Sequence, residues 1–192
     1  MSDNLRAWQT RAIPQFVNGA IRGLKDQLAY VTPGGGKTRF ALEVARQLID
    51  CGEARRLIVV VHTHNLREQW IEAAANFGLV LTDIIERSRD SDGFVVTYQQ
   101  LVDSETCQQV ASVAKGKQQS LVIPDECHHM ADGRNWGEQC RKAFGKAHRR
   151  ILLSGTPVRA DDCTIPFVTY RNGVAVADFT YGYSDALADG VV

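Results

Sequence analysis

The sequence predicts an α/β fold in which a parallel β-sheet is sandwiched between helices. Short runs rich in Val, Ile and Leu recur along the chain, and each is followed by helical spacing or by a turn signal. Alternation of this kind is typical of parallel sheets covered by helices. A glycine-rich stretch follows the first run, and two adjacent acids follow a later one. A length of 192 residues with 44% hydrophobic residues suits one domain with a sizeable core.

The predicted strands and helices follow directly from these runs. The expected strands are residues 28–31, 57–61, 94–97, 121–123 and 150–153. After the first strand, Phe40, Val44 and Leu48 recur every fourth residue between polar residues, which predicts an amphipathic helix that ends at Gly52. A second helix is expected to begin with Asn65 as its N-cap and to end near residue 78. No repeat or Pro/Ser-rich linker indicates an internal boundary within this alternation.

The stretch VTPGGGKT, residues 31–38, has the pattern of a phosphate-binding loop. Without side chains at Gly34, Gly35 and Gly36, several backbone N–H groups can point into one concavity at the positive end of the following helix. Lys37 can reach terminal phosphates, and the Thr38 hydroxyl can ligate Mg²⁺. A flexible turn without function is the alternative. The strand–loop–helix context and the Lys-Thr pair favour phosphate binding.

A second candidate site element is LVIPDECH, residues 121–128, an apolar strand that ends in two acids. Pro124 cannot donate to the sheet, so the strand is expected to end there. Asp125 can hold Mg²⁺, and Glu126 can orient and deprotonate an attacking water. Carboxylates at the carboxyl end of a parallel strand lie where such sheets bind ligands. The alternative is a polar strand end without function.

A zinc site near Cys127, His128 and His129 is disfavoured. The sequence has no C-x₂₋₄-C or H-x₃₋₅-H spacing that would complete a set of ligands. Adjacent residues on an extended chain also point to opposite faces. The five cysteines are odd in number and scattered, which indicates reduced thiols in a cytosolic compartment.

Six stretches resemble the motifs of superfamily 2 (DEAD/DEAH-box) helicases and translocases, and they occur in the family's order. TPGGGKT (32–38) resembles motif I, and DECH (125–128) resembles the DExH form of motif II. The remaining matches are LRAWQ (5–9) with the upstream glutamine element, VVVHTHNLREQW (59–70) with motif Ia, VVTYQQL (95–101) with motif Ib, and LLSGTPVR (152–159) with motif III. The last stretch ends in the Pro-x-Arg, residues 157–159, that is seen in the branch that includes type III restriction enzymes. Val31 replaces the usual first glycine of motif I, and His62 replaces a usual proline.

The resemblance implies a RecA-like P-loop NTPase domain over residues 1–160 that uses ATP and Mg²⁺. It implies catalysis for Lys37, Asp125 and Glu126, and Mg²⁺ binding for Thr38 and Asp125. It implies that ATP is bound by Gln9, which reads adenine, and by Thr32, Gly34, Gly35, Gly36, Lys37 and Thr38. It further implies phosphate contacts with nucleic acid for Thr63, Thr97 and Tyr98, and coupling of the ATP site to the nucleic-acid site for His128, Ser154 and Thr156.

The resemblance also implies a second RecA-like domain, because helicases of this family work with two. The second domain supplies an arginine finger and half of the nucleic-acid track. Residues 161–192 are expected to lead toward it and to end in a short helix with Ser184 as N-cap and Gly190 as its stop. A truncated chain, a split gene with a partner chain, and a stand-alone module are all open explanations.

The expected function is therefore the ATP-binding half of a helicase or translocase, acting on DNA rather than RNA. The alternative is a nucleotide-gated module that docks on another protein without significant catalysis. With 22 basic and 22 acidic residues, the chain offers no general attraction for polyanions, so nucleic-acid contacts must be local. The sequence shows neither a signal peptide nor an apolar run that could span a membrane, so we expect a soluble, cytoplasmic protein.

Overall fold

The computed structural model of the protein describes residues 5–115, 119–131, 135–156 and 164–191. Its main sheet has seven strands: β1 (Asp26–Val31), β2 (Arg56–Val61), β3 (Leu81–Thr82), β4 (Gly93–Thr97), β5 (Ser120–Pro124), β6 (Arg149–Ser154) and β9 (Phe179–Tyr181). They lie in the order β3-β4-β2-β5-β6-β1-β9, and every pairing is parallel. Two short strands, β7 (Tyr170–Arg171) and β8 (Val174–Ala175), form a separate antiparallel pair. The predicted parallel α/β architecture is confirmed.

Helices cover both faces of the sheet. They are α1 (Ala7–Ile21), α2 (Lys37–Asp50), α3 (His64–Ala75), α4 (Ser104–Ala114), α5 (Trp136–Phe144) and α6 (Tyr183–Ala188). Buried residues of α1, α2, α3 and α6 form a core on one face, and those of α4 and α5 form a core on the other. Within the described ranges, no helix combines the length and the apolar character that crossing a membrane requires.

Strand β2 shows why its sequence is apolar without interruption. Leu57, Val59 and Val61 belong to the first core, whereas Ile58 and Val60 belong to the second. Successive side chains of a strand point to opposite faces, and here both faces are covered. Burying each such side chain fully contributes about 1.5–3 kcal/mol. The central strands are thereby fixed in the middle of the domain, and their carboxyl ends form one edge.

Most of the predicted element boundaries agree with the structure. All five predicted strands are present, and β5 ends at Pro124 as expected. Helix α2 ends at Asp50, and Gly52 follows with φ +77°. The N-cap predicted for the next helix is wrong: Thr63, not Asn65, caps α3, and its hydroxyl oxygen accepts a hydrogen bond from the Leu66 N–H at 3.3 Å. The β-region backbone of Thr63 is the conformation that such a cap requires.

The described residues after position 160 contribute to this same fold. Strand β9 pairs with β1, and the side chain of Tyr181 is 1% exposed within the first core. The N-cap of α6 is Gly182 rather than the predicted Ser184, because the Asp185 carboxylate accepts from the Gly182 N–H at 2.8 Å. Gly190, with φ +67°, follows the helix as predicted. The domain boundary at residue 160 stays a prediction, and Arg159 and Cys163 lie outside the described residues.

Candidate functional site

Three neighbouring strands bring the predicted site residues to one edge of the sheet. Strands β5, β6 and β1 are adjacent and parallel, so their carboxyl ends lie side by side. The glycine-rich loop follows β1, the acidic pair follows β5, and residues 154–156 stand at the end of β6. Open parallel sheets bind ligands at this edge.

The glycine-rich loop has a conformation that depends on its glycines. Gly34 and Gly36 have φ of +74° and +96°, a region that side chains disfavour. Gly36 is also the N-cap of α2, so the loop ends at the positive end of that helix. A Cβ at Gly35 would lie 2.6 Å from Cγ1 of Val31. Val31, which replaces a usual glycine, is thus accommodated as a buried strand residue packed beneath the loop.

Side chains of residues 6–9 hold this loop by donating hydrogen bonds to the carbonyl groups of residues 34–36. The Arg6 guanidinium donates to the first carbonyl at 2.7 Å, the Trp8 indole N–H to the second at 3.1 Å, and the Gln9 amide to the third at 3.0 Å. Trp8 is fully buried and stacks on Tyr181 of β9 with ring centroids 5.0 Å apart. The Thr32 N–H donates to the Tyr181 carbonyl at 2.9 Å. Both ends of the described chain therefore brace the loop.

Both the nitrogen and the oxygen of the Gln9 side-chain amide form hydrogen bonds. Its Nε2 donates to the Gly36 carbonyl, and its Oε1 accepts from the Arg6 N–H at 2.8 Å. The side chain is 1% exposed. In this structure Gln9 supports the loop, and its adenine-reading role stays a prediction.

Lys37 and Glu126 are directly paired. The Lys37 ammonium lies 2.9 Å from Glu126 Oε1 and 3.4 Å from the Val31 carbonyl oxygen. Glu126 Oε2 accepts from the Gly155 N–H at 2.8 Å, so one carboxylate joins the elements that follow β1, β5 and β6. Glu126 has φ +47°, an uncommon conformation for a non-glycine residue that is enriched at functional sites. Burial alone would raise the pKa of Glu126, but the bonds from Lys37 and Gly155 hold it below its ordinary value.

Asp125 is held by hydrogen bonds to both carboxylate oxygens. Oδ2 accepts from the Trp70 indole N–H at 2.9 Å, and Oδ1 accepts from the Glu126 N–H at 3.0 Å. Burial raises the pKa of Asp125, and the bond from Trp70 partly opposes that rise. Each carboxylate oxygen accepts one of these bonds and keeps further acceptor capacity. With the hydroxyl of Thr38, Asp125 offers the hard oxygen ligands that suit Mg²⁺.

The three predicted coupling residues lie together at the end of β6. His128 Nδ1 is 3.4 Å from the hydroxyl oxygens of both Ser154 and Thr156. It is also 3.5 Å from Glu126 Oε2. The imidazole thus contacts the Glu126 carboxylate, the candidate general base, and the two hydroxyls at once.

Of the three residues predicted to contact nucleic acid, Thr63 is exposed and the other two are buried. Thr63 is exposed at the start of α3, although its hydroxyl serves as the helix cap. Thr97 is 2% exposed, and its N–H and hydroxyl both contact Gln100 Oε1. Tyr98 is fully buried, and its hydroxyl donates to the Asp125 carbonyl at 3.0 Å. The side chains of Thr97 and Tyr98 are thus engaged inside the domain, and the nucleic-acid role of the three residues stays a prediction.

Three contributors were missed by the sequence analysis. Trp70 binds the Asp125 carboxylate, Gly155 binds the Glu126 carboxylate, and Trp8 braces the glycine loop. Each stands inside a quoted motif, but its partner is distant in the sequence. In the sequence, the only sign of these three contributors is that a tryptophan or a glycine stands at or next to a position that matches a motif.

Comparisons with known proteins indicate the family and the fold of this chain. Residues 2–159 match the family described as type III restriction enzyme, res subunit. The uncharacterized protein Rv2917 of Mycobacterium tuberculosis is 44% identical over 198 residues, which cover 98% of this chain and 32% of that protein. The uncharacterized protein ML1624 of Mycobacterium leprae is 41% identical, with the same coverage of both chains. The chain therefore spans about a third of the length of the curated relatives it matches.

Two of the solved structures that share the fold show the extent of the similarity. The SWI2/SNF2 ATPase core of Sulfolobus solfataricus, in complex with dsDNA, has a TM-score of 0.68 and 18% identity over 84% of this chain and 34% of that one. A nuclease-deletion mutant of the type ISP restriction-modification enzyme LlaGI, in complex with a DNA substrate mimic, has a TM-score of 0.71 and 16% identity over 98% of this chain and 21% of that one. The chain belongs to the type III restriction enzyme res subunit family, and its fold is a RecA-like domain of the superfamily 2 helicases.

Proposed function

We propose that this chain binds MgATP and hydrolyses it as the first of two RecA-like domains of a helicase or translocase. The observation that carries this proposal is the contact between Lys37 and Glu126 at 2.9 Å, with the Gly155 N–H on the other carboxylate oxygen at 2.8 Å. A phosphate-loop lysine and a candidate general base meet here at the ligand-binding edge of the sheet.

The chemical roles of Lys37 and Glu126 follow from the exchange of their ionic partners when ATP binds. The ATP phosphates compete with Glu126 for the Lys37 ammonium. The backbone N–H groups of the loop and the N-terminal end of α2 favour an anion beside Lys37. Once Lys37 turns to the phosphates, Glu126 loses one of the partners that lower its pKa and becomes a better base toward the attacking water. Thr38 and Asp125 would hold Mg²⁺, which when bound neutralises charge on the phosphates.

A second domain is part of the proposal. An arginine finger is worth about 10³–10⁵ in rate in related phosphoryl-transfer systems. In the helicases that this chain resembles, the second domain supplies that finger. About two thirds of the length of the curated relatives lies outside the matched part, which leaves room for another domain. We therefore expect slow turnover by the isolated chain and faster turnover with a second RecA-like domain in cis or in trans.

DNA is the proposed nucleic-acid partner. Two of the solved structures that share the fold are complexes with dsDNA and with a DNA substrate mimic. In this chain, the start of α3 with exposed His62 and Thr63 is the candidate contact surface. The zero net charge implies that binding by this domain alone is weak and depends on salt.

The proposal is tested by measuring ATP turnover with a second polypeptide present. That polypeptide carries the part of Rv2917 that lies outside the matched segment. We expect the mixture to release phosphate at least about tenfold faster than the chain alone, because even a loosely docked finger restores part of its effect. Unchanged turnover, despite complex formation in a pull-down assay, would argue against a two-domain motor.

Gly155→Ala tests whether the contact between Lys37 and Glu126 requires the absence of a side chain at position 155. An added Cβ would lie 2.9 Å from Lys37 Nζ and 3.2 Å from Glu126 Oε1. We expect the two side chains to separate and ATP hydrolysis to fall by up to about 10²-fold, as small misplacements of catalytic groups do. The measurement is steady-state phosphate release at saturating MgATP.

The matched control for that substitution is Gly182→Ala. Its added Cβ would meet only Asp185 Oδ2, at 3.8 Å, and its backbone is in the extended region. If both variants hydrolyse ATP at the wild-type rate, the space beside Lys37 has no role in turnover.

A further inference from the structure

We infer that Trp70 is a positioning residue that sets the orientation of the Asp125 carboxylate for Mg²⁺. The inference rests on the proposed function, because it concerns the metal that accompanies ATP. Trp70 lies in α3, and none of the hydrogen bonds described above joins it to the glycine-rich loop.

The contact is short and buried on both sides. Trp70 Nε1 donates to Asp125 Oδ2 at 2.9 Å. Trp70 is 1% exposed, and Asp125 is 6% exposed. Hydrogen bonds to a charged acceptor are stronger than neutral ones, and low local polarity strengthens them further. The indole therefore fixes one carboxylate oxygen.

Other contacts fix the rest of Asp125. Its second carboxylate oxygen accepts from the Glu126 N–H at 3.0 Å, and its backbone carbonyl accepts from the Tyr98 hydroxyl at 3.0 Å. Its own N–H donates to the Val60 carbonyl at 2.8 Å. The Glu126 N–H belongs to the adjacent residue, and the Tyr98 and Val60 contacts involve the Asp125 backbone. The contact with Trp70 is thus the one among these that ties the carboxylate itself to another element of the fold.

An indole is well suited to this task. It has a single donor on a rigid ring, so the direction of the hydrogen bond is set by the packing of that ring. The Trp70 ring belongs to the first core, which α3 forms with α1 and α2. Mg²⁺ demands near-ideal octahedral geometry, so a carboxylate that turns freely would bind it less well. Residues that orient metal ligands in this way typically change metal affinity about 10–100-fold when they are altered.

The test compares the Mg²⁺ dependence of nucleotide binding in Trp70→Phe and in wild type. The probe is a fluorescent, non-hydrolysable ATP analogue, titrated with MgCl₂ at fixed protein concentration. We expect Trp70→Phe, which keeps an aromatic ring and loses the donor, to need about tenfold more Mg²⁺ for half-maximal binding. Trp70→Met also lacks a donor and adapts well to a core, so it should show the same shift.

Val110→Ala separates positioning from general destabilisation. Val110 is fully buried in α4, in the core on the other face of the sheet. We expect it to lower the melting temperature without changing the Mg²⁺ requirement. All titrations are made below the melting temperature of each variant, measured by circular dichroism.

Two results would overturn the inference, and they are distinguishable. If wild type shows Mg²⁺-dependent binding and both Trp70 variants show the same Mg²⁺ requirement as Val110→Ala, then Trp70 is only a core residue. If wild type itself binds no nucleotide at any Mg²⁺ concentration, the proposed function fails and this inference fails with it. A shift confined to the Trp70 variants supports the inference.

Discussion

Lys37→Ala is expected to weaken ATP binding by about 10- to 100-fold, because hydrogen bonds to charged groups contribute about 1.5–3 kcal/mol each. Lys37 stands at the first position of α2, directly after the glycine loop, with its ammonium paired to Glu126. Its removal also leaves a half-buried carboxylate without its cation. The titration of a fluorescent ATP analogue, followed by phosphate release, measures both consequences.

Lys142→Ala is the control for that loss. Lys142 also pairs with a glutamate, Glu138, at 2.7 Å, but on an exposed surface of α5. Such surface pairs contribute little. Nucleotide affinity should be unchanged in this variant, and an equal loss in both would mean that the effect of Lys37 is not specific to the loop.

Glu126→Gln is expected to preserve ATP binding and to reduce hydrolysis by about 10²–10⁴-fold, the usual contribution of a positioned general base. An amide oxygen can still accept from the Gly155 N–H, so the local structure should be kept. It cannot take a proton from water, and it no longer holds Lys37 as an ion pair. The measurement is phosphate release at saturating MgATP, with binding measured in parallel.

Glu138→Gln provides the matched change of charge at an exposed position. It should release phosphate at the wild-type rate. If Glu126→Gln also did so while binding ATP normally, Glu126 would not be the base, and the alternative of a nucleotide-gated binding module would gain support.

The sheet could be predicted because its central strands are buried on both faces. Such strands must be apolar without interruption, and that pattern is visible in the sequence. Strand β9 was missed, since three residues, FTY, carry no periodicity. It forms a strand because β1 offers an unpaired edge there, which is a tertiary effect. Strand β3, with two residues, was missed for the same reason.

The candidate site was predictable where a motif supplies both partners of a contact. The loop with Lys37 and the acid pair needed only local sequence, and the structure brings Lys37 and Glu126 together. The burial of Tyr98 could not be predicted, because a tyrosine after a strand end resembles a surface residue. Its position depends on two long-range contacts, from its N–H to the Val61 carbonyl and from its hydroxyl to the Asp125 carbonyl.

The contacts of Trp70 and Gly155 were equally hidden from the sequence. Their partners are 55 and 29 residues away, respectively. Motif spacing gives the order of such residues along the chain, but not which atoms meet. Strand order decides that, and sequence patterns alone do not give strand order.

The most direct test of the central claim is phosphate release from MgATP by the purified chain, with and without single-stranded DNA. Wild type, Lys37→Ala and Glu126→Gln are compared under the same conditions. The account predicts slow release by wild type that both substitutions abolish, because both side chains belong to one site. Release that persists in both variants would contradict it, since hydrolysis would then not take place where β1, β5 and β6 end.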